Sequence, residues 1–411
     1  MPDASGLCSY VVKRISQIIT THGPRRPGSV NERAAQADLA QELGGFADEV
    51  SREPFELHPL AFLGWMPFAG LFMAGSVACF GRCPIVGLLL SFTVFLVAFL
   101  QLGRYRQAID WLFPKATSVN VLGKIKSQGP RKRILILTGH MDAAFEWPLN
   151  YLHPIALKGV LGSSLLGLLW VLGTDFWAVG YRLLTGEFWT SQWVELSRYP
   201  FLPGFVALLF FNNFCRTVPG ANDNLTGVFA AMAMAKKLKE ENRKLENTEL
   251  WILSTGCEEA GLRGAKAFVK VHGEELRATE TLVLSLETFH DLKFFGVYDR
   301  DLNGTVHHDE RACRLLDQAG KAQGLSMPRM SAYVGSSDGT AFTQAKIPTV
   351  TFVGMDPGPP RYYHTRLDDV DNLDPQAIQA ALGVIEVAMR LFDQNGLGPI
   401  ANGGGYIRED T

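Results

Sequence analysis

Two long stretches of this chain carry no formally charged side chain, and they constrain its fold more than any other feature. There is none from Leu57 to Gly81 and none again from Cys83 to Gly103, with Arg82 and Pro84 marking the break. A helix needs about 20 consecutive apolar residues to cross the hydrocarbon core of a bilayer, and each run reaches that length. Trp65 and the cluster Arg104-Tyr105-Arg106 suit the two interfaces. A very hydrophobic buried hairpin inside a soluble protein is the alternative. Run length favours a transmembrane hairpin over residues 57–103.

A second apolar region follows within residues 151–217. Its runs, Gly159–Thr174 and Tyr199–Cys215, are shorter and flank a Trp- and Tyr-rich segment holding Asp175, Arg182, Glu187, Glu195 and Arg198. Tilted spans, a re-entrant pair or an interfacial element all fit such lengths, and a second membrane hairpin is the preferred expectation. Two hairpins return the chain to the side it left, so all soluble segments share one compartment. Arg52, Arg104, Arg106, Lys115, Lys158 and Arg216 lie on the soluble side of the runs, against Arg82, Arg182 and Arg198 in the turns. That small bias places the soluble domain on the cytoplasmic side.

The remainder of the 411 residues suffices for one large domain. A formal net charge of −2 leaves no basic surplus to neutralise phosphates, which excludes a nucleic-acid binder. The six cysteines are scattered, without metal-site spacing, which argues against a disulfide framework and mildly for a reducing compartment. Met1–Thr21 has the pattern of an amphipathic helix and not of a signal peptide. Ser29 and Glu32 form a capping-box pattern ahead of an Ala-rich helix to about Leu43, and Val50–Leu57 reads as a strand.

The soluble segments alternate as in an α/β fold with a central sheet flanked by helices. Strands are expected at Ser118–Ile125, Arg133–Thr138, Thr248–Ser254, Thr281–Leu286, Leu292–Val297 and Ile347–Val353. Helices are expected at Leu225–Leu245, Glu259–His272, Glu310–Gln323 and Pro375–Asn395. The resulting organisation is 1–56, 104–150 and 218–396 for the soluble domain, interrupted by insertions at 57–103 and 151–217. A flexible Gly-rich tail is expected at 397–411.

Metal-capable side chains recur where strands end. His140 and Asp142 follow the RILILT strand, and Asp223 sits ahead of a helix. Glu258 and Glu259 follow the WILST strand, Glu287 ends LVLSLE, and His364 lies beyond IPTVTFV. In an open α/β sheet, sites form outside the carboxyl ends of the strands, so these residues are placed to converge. Two histidines and three carboxylates with one spare acid match the needs of two Zn²⁺ ions, each taking about four ligands with one position open. Singly, each has a plainer explanation. His140 fits a core histidine bonded to Asp142, Asp223 an N-cap, Glu258-Glu259 an acidic first helical turn, His364 a loop histidine and Glu287 a surface acid. Their joint occurrence in this order favours the metal site.

In the order GHMD, GANDN, GCEEAGLRGA, LSLE and YYHTRLDDVDNLD, the chain resembles the di-zinc aminopeptidases. The relatives of that family include glutamate carboxypeptidase, the glutaminyl cyclases and the non-enzymatic transferrin receptor. GPRRPGS with the following Ala-rich helix is similar to the family's N-terminal region. The resemblance runs from about Gly23 to Leu391 and omits both apolar insertions. It implies a zinc-exopeptidase-like mixed sheet and two zinc ions, one on His140 and Glu287, the other on Glu259 and His364, with Asp223 bridging. It implies that Asp142 orients His140, and that Glu258 is the general base that deprotonates the bridging water and then protonates the leaving amine. Tyr363 would stabilise the oxyanion, although a packing tyrosine fits equally well.

Three departures stand out. Glu287 replaces a more usual Asp, Gly339 follows Ser337-Asp338 where the family has His, and an apolar insertion fills a usually short loop between His140 and Asp223. The leading expectation is a membrane-anchored metallo-aminopeptidase, a hydrolase acting on peptide or amide substrates. Glutaminyl-cyclase-like amide chemistry, a receptor-like relative without catalysis, and a transport or scaffold protein are the alternatives. Oligomeric state is not legible.

Overall fold

The structure is a computed structural model that describes residues 4–398; the Gly-rich stretch of the expected flexible tail lies outside the described residues. Its centre is β3 (Arg133–His140), apolar on both faces, as a strand between two helical layers must be. Before it come α1 (Ala4–His22), α2 (Val30–Leu43), β1 (Glu49–Leu57), α3 (Met66–Cys79), α4 (Pro84–Ala98) and β2 (Ala116–Ile125). After it come β4 (Phe145–Glu146), α5 (Pro148–Leu152), α6 (Pro154–Thr185), α7 (Gln192–Arg198), α8 (Leu202–Ala207), β5 (Asn213–Thr217), α9 (Thr226–Glu240) and β6 (Thr248–Thr255). The chain closes with α10 (Arg263–Ala278), β7 (Glu280–Phe289), β8 (Phe295–Asp301), β9 (Val306–His307), α11 (Glu310–Ala322), β10 (Arg329–Ser331), α12 (Gly339–Gln344), β11 (Thr349–Gly354) and α13 (Pro375–Asn395).

The main sheet runs β1-β2-β6-β3-β7-β11-β8-β10, with β9 on β8. The inner four strands, β6, β3, β7 and β11, are parallel, while β2 and β8 flank them antiparallel. The sheet is therefore mixed, and the carboxyl ends of its parallel core share one edge. Alternation along β3 sends Leu135 and Leu137 into a core with Val11, Leu39, Phe229, Leu316 and Ile385 from α1, α2, α9, α11 and α13. Ile134 and Ile136 face the other way, against Phe268 of α10 and Phe342 of α12. Each such buried side chain contributes about 1.5–3 kcal/mol relative to exposure.

Several boundaries differ from expectation for local reasons. Only half of the capping box forms: Ser29 Oγ accepts the Glu32 N–H at 3.1 Å, but the Glu32 carboxylate accepts the Gly28 N–H at 2.7 Å. Its other oxygen accepts the Cys257 N–H at 2.9 Å, beside the Glu258-Glu259 pair. α9 stops at Glu240, where the chain turns through Asn242 at φ 47°. α10 starts only at Arg263, not at Glu259. Asp291 caps a single turn over Leu292–Phe294, which delays β8 to Phe295. The short elements β10 and α12 carry too few residues to show a period.

The apolar insertions form a body of their own. Leu57–Trp65 mostly makes turns, and with Pro67 starting α3 the first helix is 14 residues, about 21 Å long. α4 continues through a π turn to Gly103. α6 runs unbroken through Asp175 and Arg182 for 32 residues, about 48 Å. The return limb is instead broken into α7, α8 and short turns, with Pro200 and Pro203 removing amide donors. Among the described residues two helices, Pro84–Gly103 and Pro154–Thr185, are long and apolar enough to cross a membrane. Met73, Val77, Val94, Leu168, Val171 and Phe205 join the helices in a thin core. Their outward faces stay apolar, as at Leu89, Leu165 and Trp177.

One polar knot ties this body together. Asp175 Oδ2 accepts from Ser76 Oγ at 2.6 Å and Ser91 Oγ at 2.7 Å, and its Oδ1 accepts from Arg198 Nη2 at 2.8 Å. Helices α3, α4, α6 and α7 thus meet at one buried carboxylate.

Candidate metal centre

Each strand of the parallel core delivers a side chain or a loop to the common edge. His140 ends β3 just past Gly139, where a Cβ would come 2.7 Å from the Val228 backbone nitrogen of α9. Glycine is what lets the strand pass so close. The His140 ring is buried; its Nδ1 lies 3.2 Å from the Asp142 carbonyl oxygen, which leaves Nε2 to face the acids. The Asp142 carboxylate is farther from Nδ1, at 3.5 Å. It accepts the N–H of Glu258 at Oδ1 and of Glu259 at Oδ2, both at 3.0 Å.

Glu258 and Glu259 occupy a turn between β6 and α10. Cys257 and Leu262 bracket it in left-handed conformations, φ 56° and 61°, and the N–H groups of Gly261 and Leu262 donate to the Glu258 carbonyl at 2.7 and 2.8 Å. The pair therefore precedes the helix, and an acidic first helical turn does not account for it. Asp223 does not cap α9 either. Its segment, Ala221–Leu225, is held by Asp368, whose Oδ1 accepts from Asn222 N–H and Nδ2 at 2.8 Å and whose Oδ2 accepts from Asp223 N–H at 3.1 Å.

The carboxylate of Asp223 is shared between the two imidazoles. Its Oδ1 lies 3.2 Å from His140 Nε2 and its Oδ2 3.2 Å from His364 Nε2. Glu259 Oε1 is 3.2 Å from the same His364 nitrogen. Glu258 Oε2 and Glu287 Oε2 stand 3.8 and 4.0 Å from His140 Nε2. Asn224 Nδ2 donates to Glu287 Oε2 at 3.0 Å, and Glu287 Oε1 is buried without a hydrogen-bond partner among the described residues. His364 is packed between Trp147, 4.3 Å away between ring centroids, and Tyr363, stacked at 3.9 Å. All five expected ligands thus converge, with Glu258, Asp142 and Tyr363 around them.

Sequence reasoning missed the supports. Arg25 is fully buried beneath the site, its Nε donating to Met141 O at 2.8 Å and its Nη2 to Gly220 O at 3.0 Å. It ties the His140 loop to the Asp223 loop. Nothing in a Pro-flanked Arg pair shows which arginine turns inward. Asp368 and Asn224 were legible only as neighbours of His364 and Asp223. Asp338, which accepts from Thr255 Oγ1 at 2.5 Å, lay in a segment without a period.

Buried acids and imidazoles perturb one another strongly at this site. Burial pushes the pKa of Glu258 and Glu287 well up, and that of Glu259 up, with neighbouring carboxylates adding to the rise. Burial alone would keep both imidazoles neutral, but the surrounding acids raise His140 well above its usual value and His364 to about 9. Burial would raise Asp223 as well, but its two imidazole partners hold it low. Burial beside Asp223 raises Asp368 to about 7. Ligands 2.0–2.1 Å from a tetrahedral zinc lie roughly 3.3 Å from one another. The three 3.2 Å contacts around Asp223 match that spacing, and His140, Asp223 and Glu259 offer ligand atoms within 4.8 Å of one another. The nitrogen and carboxylate donor set fits Zn²⁺.

Residues 210–389 match the family model described as Peptidase family M28. That stretch of the chain is similar to the family. Aminopeptidase YwaD of Bacillus subtilis (strain 168) is 27% identical over 176 residues, which is 42% of this chain and 37% of that protein. The match therefore spans well under half of that relative's length. Among solved structures, BSAP, a zinc aminopeptidase from Bacillus subtilis, superposes with a TM-score of 0.56 at 14% identity over 94% of this chain and 95% of its own. An Acidobacteriales bacterium glutaminyl cyclase gives 0.54 at 14% over 95% of each chain. At such identities the likeness is one of fold, and it includes both kinds of enzyme.

The insertions reach this candidate centre. A narrow cavity beside Glu259 and His364 is lined by Pro59, Leu60 and Leu63 from the first, by Phe214 from the second and by Trp147 just ahead of it.

Proposed function

We propose that the protein is a membrane-anchored, zinc-dependent aminopeptidase with two zinc ions per chain. The observation that carries this reading is the Asp223 carboxylate, split at 3.2 Å between His140 and His364, with Glu258 beside it on a fixed turn. His140 and Glu287 would hold one ion, Glu259 and His364 the other, and Asp223 both. Bound zinc supplies Lewis acidity and lowers the pKa of water. Glu258 takes the proton from the attacking water and passes it to the leaving amine. Asp142 holds the Glu258 amide, and so the position from which that proton moves. Tyr363, stacked on His364, would donate to the developing oxyanion.

The anchoring reading rests on the apolar outward faces of α3, α4 and α6, since each exposed Leu or Phe left in water forgoes about 1.5–3 kcal/mol. With the second insertion joined to the chain beside His140, substrates would arrive from the membrane surface, such as peptide remnants or lipid-linked amides. Both hairpins would leave the catalytic domain in one compartment, and the Lys and Arg bias favours the cytoplasmic side.

Zinc analysis of purified protein, together with hydrolysis of an aminoacyl 4-nitroanilide panel by wild type and Glu258→Gln, tests the reading. Bound zinc, with activity in the wild type that the variant loses, is expected. Metal-free protein without turnover would overturn it in favour of a receptor-like role, and cyclisation of an N-terminal Gln peptide without hydrolysis would favour the glutaminyl-cyclase alternative. Extraction of the protein from membranes by alkaline carbonate would end the anchoring proposal.

A further inference from the structure

The base of the first apolar segment grips the turn that carries Glu258. Phe62 lies on Gly261, where φ is +93° and a Cβ would come 2.9 Å from the Phe62 ring. Phe62 also packs against Tyr105, at the other end of the segment, with centroids 4.7 Å apart. Lys266 of α10 joins the two sides: its Nζ donates to Tyr105 O at 2.5 Å and to Gly261 O at 3.1 Å. Among the described residues it makes no ion pair, and its nitrogen is committed to these two backbone carbonyls. Three more bonds brace the junction. Gln101 Nε2 donates to Ala61 O at 3.0 Å, Arg263 Nη2 to Asp110 Oδ1 at 3.1 Å and Asn303 Nδ2 to Leu102 O at 2.8 Å.

The gripped turn is one that needs gripping. Its non-glycine residues Cys257 and Leu262 both sit at positive φ, a state that persists only where surroundings impose it. Gly261 N–H closes directly on the Glu258 carbonyl at 2.7 Å, so a shift of Gly261 moves Glu258. The arrangement links the helices of the insertion to the general base through one lysine.

We propose that Lys266, by clamping the carbonyls of Tyr105 and Gly261, is a positioning residue for Glu258 and makes turnover depend on how the first apolar segment is seated. This rests on the reading of Glu258 as the base. The lysine touches neither substrate nor zinc, and it acts by holding the geometry from which the proton transfer starts.

The test compares wild type, Lys266→Met, Lys266→Arg and Glu258→Gln as full-length protein in nanodiscs of thin and thick bilayers. In Lys266→Met, kcat on the best 4-nitroanilide substrate falls by at least about tenfold at a KM within about twofold, since small misplacements of a catalytic group are costly in rate. Zinc content and the thermal midpoint stay at wild-type values. Lys266→Arg, which keeps donors within reach, recovers part of kcat. Wild-type kcat differs between thin and thick bilayers, and Lys266→Met loses that difference. Should Lys266→Met not fold, Phe62→Leu, which loosens the packing on Gly261 without emptying it, carries the same expectations. A wild-type kcat in Lys266→Met, or in that substitute, while Glu258→Gln is inactive would overturn the clamp alone. Activity retained in Glu258→Gln would overturn the base assignment and the clamp with it.

Discussion

Asp142 holds Glu258 by its backbone: the aspartate Oδ1 accepts the glutamate N–H at 3.0 Å, while Oδ2 accepts that of Glu259 at the same distance. One buried carboxylate thus fixes both members of the acid pair. Asp142→Asn keeps size but offers an N–H where one of the two amides needs an acceptor. Its kcat is expected to fall about 100-fold, because displacement of a catalytic group by an ångström costs rate on that scale. Steady-state kinetics on protein checked for zinc content measures it.

The metal-free centre should lose stability as pH rises. His364, raised to about 9 from an ordinary 6.5, contributes fully below about 6.5, and its contribution disappears as pH climbs through 9. His140, Glu258 and Glu287 are raised as well and act in the same sense. Bound zinc replaces those protons as the counter-charge. The gain in thermal midpoint on adding zinc to chelator-stripped protein is therefore expected to be larger near pH 8.5 than near pH 6.

Gly139→Ala should disturb the same centre from below. Its Cβ would meet the Val228 nitrogen at 2.7 Å and the Gly227 carbonyl carbon at 2.8 Å, backbone atoms that cannot rotate aside. Overpacking of this kind costs about 1–3 kcal/mol, and here it also moves His140. Fewer zinc ions per chain, counted by elemental analysis, are expected.

In the apolar body, Asp175 and Arg198 should be less tolerant singly than together. Removing one partner of a buried pair strands the other charge, at about 3–5 kcal/mol. Arg198→Met is thus expected to lower the thermal midpoint in detergent more than the double variant Asp175→Asn/Arg198→Met.

Much of this was legible in the chain because periodicity is a strong signal where runs are long. RILILT, WILST and LVLSLE announced buried strands, and the residues at their carboxyl ends had to meet at one edge. The last helix forms over Pro375–Asn395 as expected, with proline in its first turn. What was not legible depends on side chains that leave their own neighbourhood. Glu32 looked like half of a capping box and reaches Cys257 instead. Arg25 stood only as one letter of GPRRPGS and lies beneath the site. A run of apolar residues also does not reveal its breaks, so the turns over Leu57–Trp65 and the broken limb around Pro200 and Pro203 emerged only from the fold.

Both excursions also leave and return through closed doorways. Gln101 reaches across to Ala61, and β4 pairs with β5 so that Phe145 faces Thr217 and Glu146 faces Asn213. The sheet order is the same whatever hangs beyond those doorways, and closure entropy grows only slowly with the length of chain enclosed. Either excursion can therefore change in length with little cost to the strand order of the domain it leaves.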